Sequence, residues 1–385
     1  MQYSQRLIVC LFFIIVVSCN YAENKEKSND YFIKWDNETL TCISEKGYYP
    51  RMRRIKDNSL LVFYENGKGD IEFKRSFDEG VSWSETTIVY ESFEYEDQNQ
   101  GQSTRIKIFN PELIQLGNGD LLLACNLRPV KDGIYPFSIA LKRSTDNGST
   151  WEKERVVYKA HTSFKDGCWE PSFLALPDGT LQLYFANEFP YTESDEQEIS
   201  MLSTIDNGVT WTQEAKTVSF RKNHRDGMPV AVLDGQNIVI AIEDNVMGQF
   251  FHPYLISGTI RDNWTTYISG TSPNRYNALT NPLSKDEYGG APYLIKTDIG
   301  LYVLSYQTTK GRTDYWENST MEVVISKTVK NFGNPSQPFN VPLNKEAKWN
   351  SLTDLGDGVI AALSSTSFQS GMVGIWMITG KILME

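Results

Sequence analysis

Histidine is scarce in this chain and cysteine nearly so, with three of the first and five of the second in 385 residues. His161, His224 and His252 share no metal-ligand spacing, so no metal site is expected and no cofactor is called for. The cysteines are widely spaced, and an odd three of them, Cys42, Cys125 and Cys168, follow the N-terminal segment. That pattern excludes a disulfide framework and points to buried thiols. Positive charge is short as well: 37 Lys and Arg against 48 Asp and Glu leave a net charge of -11. Phosphate backbones and anionic membrane surfaces reward clustered cations, so nucleic acid is excluded as a partner and a neutral or weakly charged ligand is favoured. Helical periodicity is missing too, which points to short strands as the building units.

One segment stands apart. Arg6 followed by "LIVCLFFIIVV" and "VVSC" reads as an export signal, its apolar stretch too short to span a bilayer comfortably. Residues 1–18 are expected to be a lipoprotein-type leader, Cys19 the lipidated residue, 19–30 a polar tether, and 31–385 one catalytic domain acting as a monomer. The chain would then sit in the cell envelope, touching membrane only through its anchor; an ordinary cleaved signal would make it secreted.

What is present repeats. Tight polar turns followed by apolar strands recur as "IKDNSLLVFY", "LGNGDLLLAC", "LPDGTLQLYF", "LDGQNIVIAI", "KTDIGLYVLSY" and "LGDGVIAALS". Their strands start at Leu60, Leu121, Leu181, Ile238, Leu301 and Val359, about 60 residues apart. A second repeat runs in step: "RSFDEGVSW", "RSTDNGSTW" and "STIDNGVTW", with "TIRDNW" as a decayed fourth copy. This resembles the Asp-box, a hairpin turn that recurs in sialidase-like propellers. Asp78, Asp146 and Asp206 accept backbone N–H bonds inside the turn, and Trp83, Trp151 and Trp211 pack between sheets; their part is structural. Six such units predict an all-β, six-bladed β-propeller, since the interval is too long for a β-helix coil and too regular for two sandwiches. Either "YFIKWD" or "TLTCIS" should close the ring by joining the last blade at "GMVGIWMITGKIL".

The segments before the turn-strand repeats carry polar residues, in five of the six beside a proline: "GYYPRMRRI", "IFNPELIQL", "GCWEPSFLAL", "RDGMPVAVL", "GGAPYLIKT" and "KWNSLTDL". The prolines are expected to stop the strands, with Glu170 just before the inner strand of the third blade and Glu243 at the end of that of the fourth. Arg51, Asn110, Glu170, Arg225, Tyr293 and Asn350 form the expected inward ring.

Three stretches, "GCWEP…DGTLQLYFANE", "RDGMPV…IAIED" and "GGAPYL…GLYVLSYQT", resemble glycoside hydrolase family 93, the exo-α-1,5-L-arabinanases. The resemblance implies a retaining, exo-acting hydrolase releasing short arabinose products, with Glu170 and Glu243 as the catalytic pair. Trp169 and Pro171 should raise the pKa of Glu170, suiting an acid/base, while Arg225 should keep Glu243 ionised, suiting a nucleophile. Arg51, Asn110, Trp169, Asn187, Glu188, Arg225, Tyr293, Tyr306 and Gln307 are the expected substrate contacts, on an oligosaccharide or polysaccharide. Two alternatives stand beside this one. A sialidase would need three arginines on a substrate carboxylate, with Arg51 as the first and Arg128, Arg225 and Arg312 available. A non-catalytic glycan-binding propeller would keep the fold without the chemistry.

Overall fold

The computed structural model describes residues 31–99, 101–245, 250–313, 315–369 and 371–385. The expected leader, tether and lipidated Cys19 lie outside the described residues. Six antiparallel sheets follow one another along the chain, five of four strands and one of five. The innermost strands are Tyr48–Arg54, Gln102–Gln115, Cys168–Ala175, Asp226–Asp234, Gly289–Lys296 and Ala347–Gly356. Each packs against the next and the last against the first, so the sheets close into a ring about one axis. This is the six-bladed β-propeller that the repeat implied.

One strand joins the two ends of the chain. Tyr31–Ser44 pairs antiparallel with Gly374–Met384, from Tyr31 opposite Met384 to Ser44 opposite Ile375. "YFIKWD" and "TLTCIS" both belong to it, separated by a shift of register between Asp36 and Thr41. The sixth blade therefore takes three strands from the C-terminus and its outer one from the N-terminus.

The repeat turns sit one strand further out than expected. They join each innermost strand to the second strand of its blade: Leu60–Glu65, Leu121–Pro129, Leu181–Asn187, Asn237–Asp244, Tyr302–Thr308 and Val359–Thr366. Nor do the prolines stop the strands. Pro50, Pro111, Pro171, Pro229 and Pro292 lie inside innermost strands, each at a register shift where the ladder asks for no N–H. Glu170 is accordingly within an innermost strand, and Glu243 is on a second strand.

The Asp-boxes fold as their composition dictates. Ser82, Thr150 and Thr210 each donate a backbone N–H at 2.8 Å to Asp78, Asp146 and Asp206. The indole N–H groups of Trp83, Trp151 and Trp211 return to the box glycine carbonyls at 3.1 to 3.2 Å, while the rings pack on the apolar clusters between blades. In the fourth copy Trp264 is buried and bonds the Tyr184 hydroxyl instead, at 2.9 Å. Of the thiols, Cys125 and Cys168 are buried as expected; Cys42, on the closing strand, is only half-buried.

Removing residues 31–44 would leave the sixth blade with an unpaired edge strand. A chain starting after Ser44 is expected to melt well below the longer one and to self-associate through that edge, read by thermal unfolding and light scattering. Equal melting temperatures would contradict this closure.

Candidate active site

The site grows out of a backbone device repeated around the axis. At the register shift of every innermost strand one residue has positive φ: Tyr49 (54°), Asn110 (50°), Glu170 (49°), Met228 (48°), Ala291 (47°) and Trp349 (56°). None is glycine, so each carries conformational strain of about 1–3 kcal/mol. The strain is held by a hydrogen bond across the blade boundary. The N–H of Tyr49 donates to Ser365 Oγ at 2.9 Å, that of Asn110 to Glu65 at 2.8 Å, and that of Glu170 to Asn126 at 2.9 Å. The N–H groups of Ala291 and Trp349 donate to Glu243 and Gln307, each at 2.8 Å. Every acceptor lies on a second strand of the preceding blade, opposite the residue just before that blade's own positive-φ position. Ala186 fills that register in the third blade, and there Gln197 instead donates to Asp226 O at 2.7 Å, beside Met228.

The device turns the six side chains onto the axis. Tyr49, Met228 and Ala291, from blades one, four and five, form one apolar cluster with Trp349 of the sixth against it. The Tyr49 and Trp349 rings stand 6.2 Å apart. Glu170 and Asn110 complete this mouth ring, and Glu243 reaches it from the second strand of the fourth blade. The backbone beside the Glu243 carboxyl is bare at two glycines. A Cβ on Gly227 would stand 2.9 Å from its Oε1, and one on Gly290 2.8 Å from its Oε2.

Both residues are partly exposed, yet the protein around their carboxyls strips most of the hydration, and burial dominates their titration. Glu170 is pushed up to about 8, raised further by the charges of Glu243 and Glu188 and lowered by Arg128 and Arg225. Glu243 is pushed up to about 7, against the lowering effects of the Ala291 N–H and Arg225. The first shift is the one expected. The second corrects the expectation that Arg225 keeps Glu243 ionised, because desolvation outweighs that cation. Arg225 is also shared: it pairs with Glu188 and donates to Gln197 at 2.7 Å. Asp244, next along the strand, is engaged by Arg221 and Arg275.

The other expected contacts divide. Asn110 is at the mouth with its side-chain oxygen taken by Arg128, and Glu188 and Arg225 flank the glutamates. Trp169 is buried, its indole N–H on Glu188 at 2.8 Å and the Arg128 guanidinium over its ring at 4.7 Å, so its face is not free for a sugar. Arg51 and Tyr293 lie one layer deeper. The Arg51 Nε is 3.4 Å from Glu112 and its guanidinium covers Tyr49 and Tyr293 at 3.8 and 4.9 Å. Asn350 is buried beside them and accepts from Arg51 through its carbonyl at 3.2 Å. Asn187 is buried and tied to Tyr158 and Ser200, Tyr306 donates to Glu322 within the fifth blade, and Gln307 belongs to the backbone device. The structure does not bring Arg51, Asn187, Tyr293, Tyr306 or Asn350 to the mouth.

Four groups there were not foreseen: Glu65, Arg128 as the cation facing Glu170, Tyr288 and Trp349. The signal for Glu65 was in the register, since it occupies the position in its blade that Glu243 occupies in the fourth.

Against known proteins, a family model described as a BNR repeat-like domain matches residues 58–241. A sialidase from Micromonospora viridifaciens is 31% identical over 121 residues, 28% of this chain and 19% of that protein; the match spans about a fifth of the relative's length. An α-L-arabinofuranosidase from Fusarium graminearum, solved with an iminosugar inhibitor, superposes with TM-score 0.64 at 15% identity over 91% of this chain and 97% of that one. An α-L-arabinanase from Penicillium chrysogenum, solved with arabinobiose, gives 0.61 at 18% identity over the same shares. The fold is that of the sialidase-like propellers, whose arabinanases and sialidases are both structural neighbours of this chain.

The raised carboxyls carry a consequence for stability. Both fold with pKa values above the ordinary 4.5, so the native state binds their protons more tightly and loses stability as pH rises through about 7 and 8. Glu170→Gln is expected to raise Tm at pH 8.5 and to leave it nearly unchanged at pH 4, where the wild-type carboxyl is already protonated. A gain of equal size at both pH values would contradict the shift.

Proposed function

We propose that this propeller is a retaining, exo-acting glycoside hydrolase that releases short arabinose products from arabinan chain ends. The observation that carries the reading is the meeting of Glu170 and Glu243 at one mouth, each partly desolvated, with the charge of Glu243 raising the pKa of Glu170. Two carboxyls held so that one keeps its proton while the other loses it are what glycosidic cleavage requires.

In this reading Glu170, the weaker acid, gives its proton to the leaving glycosidic oxygen while ionised Glu243 attacks the anomeric carbon and forms a glycosyl ester. Glu170, now a base, takes a proton from the water that attacks the ester, and Glu243 leaves as carboxylate with its configuration at the sugar restored. The Ala291 N–H fixes Glu243 Oε2, leaving Oε1 for the attack. Trp349, partly exposed and backed by Tyr49 and Met228, offers an apolar face to a furanose ring.

The cations favour a neutral sugar over a sialic acid. Arg128 and Arg225 are the arginines whose charges act on Glu170. Arg51 is committed to Glu112 below the mouth, and Arg312 donates to the carbonyls of Asn318, Val341, Pro342 and Lys345. A substrate carboxylate would therefore lack a three-arginine clamp and would meet Glu65, Glu170, Glu188 and Glu243. Export and lipidation at Cys19 belong to the same proposal: an enzyme acting on polymers needs to stand outside the cytoplasm.

Debranched linear arabinan is the test substrate. A single short product is expected, and Glu170→Gln and Glu243→Gln should each lower kcat about a thousandfold or more with folding intact. Sialic acid release unchanged by Glu170→Gln would overturn the reading; binding of arabinan without product would favour a glycan-binding role. The pH profile of kcat/KM should be a narrow bell, its acid limb set by ionisation of Glu243 near 7 and its alkaline limb by loss of the Glu170 proton near 8. A flat profile from pH 5 to 9 would contradict it.

A further inference from the structure

Tyr288 precedes the two glycines of the fifth innermost strand and has no part in the backbone device, yet its hydroxyl stands in the site. A Cβ on Gly290 would lie 2.2 Å from Tyr288 Oη and 2.8 Å from Glu243 Oε2, so the two oxygens converge over one bare backbone position. The residue is buried and its own backbone is pinned. Its N–H donates to Thr309 Oγ1 at 3.0 Å, and its carbonyl accepts from Thr308 Oγ1 at 2.8 Å. The ring is held between Phe250 and Trp316, at centroid distances of 6.4 and 6.0 Å.

The direction of its proton follows from Gln307. That side chain accepts the Trp349 N–H, which only its oxygen can do, so its amide nitrogen is the atom 2.9 Å from Tyr288 Oη. Tyr288 is the acceptor there, and its single proton is left to donate elsewhere. The charged groups acting on it are Glu243, Glu317 and Glu170. Glu317 is engaged by Lys348, and Glu243 is the carboxylate that shares the Gly290 face.

Resting on the hydrolase reading above, we propose that Tyr288 is a positioning residue for Glu243: its O–H, oriented by Gln307, donates toward Oε2 and favours the charged form of that carboxyl. Glu243 is then steadied by the Ala291 N–H and the Tyr288 hydroxyl, with Arg225 supplying the facing positive charge and Glu170 the facing negative one. The gap over Gly290 must stay empty for this, so a side chain at 290 would separate donor from acceptor.

The test is Tyr288→Phe in the full chain, which keeps the ring between Phe250 and Trp316 and removes only the hydroxyl. Glutamate carboxyl carbons labelled with 13C report each titration directly, with Glu243→Gln assigning the resonance. The Glu243 midpoint is expected to rise by about one pH unit in Tyr288→Phe, and the acid limb of kcat/KM to move up with it while KM changes little. An unmoved Glu243 midpoint overturns the proposal, whatever the activity. Because the titration needs no turnover, a raised midpoint in Tyr288→Phe together with a wild-type chain that releases nothing from arabinan would sink the arabinanase reading and leave the positioning role of Tyr288 standing.

Discussion

The hydrogen bond that crosses from the second strand of one blade to the positive-φ N–H of the next is the constraint on which the rest depends. It does two things at once. It satisfies a backbone donor that the register shift takes out of the ladder, and it ties consecutive blades at the rim where the ring opens. The same shift turns a side chain toward the axis, so the ring of mouth residues is a by-product of closing the ring of blades. Where the structural bond happens to be made by a glutamate, a carboxyl is placed at the mouth at no further cost in geometry.

That explains why Glu243 has two readings that do not compete. It is a latch for Ala291 through one oxygen, and its other oxygen stands over Gly227 outside that bond. Glu65 has the same register and the same kind of bond, to Asn110; burial raises its pKa while Arg128 and Arg51 lower it. The difference between the two lies in their surroundings. Gly227 and Gly290 leave space beside Glu243, and Glu170 stands across from it with the higher pKa. Site chemistry here is the pairing of one latch carboxyl with one mouth carboxyl, each desolvated by the ring that holds it.

Much of the ring was legible in the sequence, because its causes are local. Turn residues such as Asn118, Gly119 and Asp120 ahead of Leu121 mark a hairpin through φ and side-chain bonding, and the Asp-boxes fix a second hairpin in each of three blades. The order of strands within a blade was not legible. Proline at 50, 111, 171, 229 and 292 reads as a strand end unless a bulge is known to accommodate it. The proposed pair could be named because Glu170 sits beside Trp169 and Pro171 in a stretch with a family resemblance. The fates of Arg51 and Tyr293 could not be read, since a shift of two residues along an innermost strand moves a side chain from the mouth to the layer below. Tyr288 was hidden for a different reason: its role comes from Gln307 and Gly290, which face each other across one blade, and from Glu243, which only blade packing brings to them.

The account stands or falls on whether Glu170 and Glu243 sense each other. The most direct measurement is the titration of the Glu170 carboxyl carbon by 13C NMR in the wild-type chain and in Glu243→Gln. A midpoint near 8 that falls when the neighbouring charge is removed is the predicted result. A midpoint near the ordinary 4.5, the same in both proteins, would contradict it.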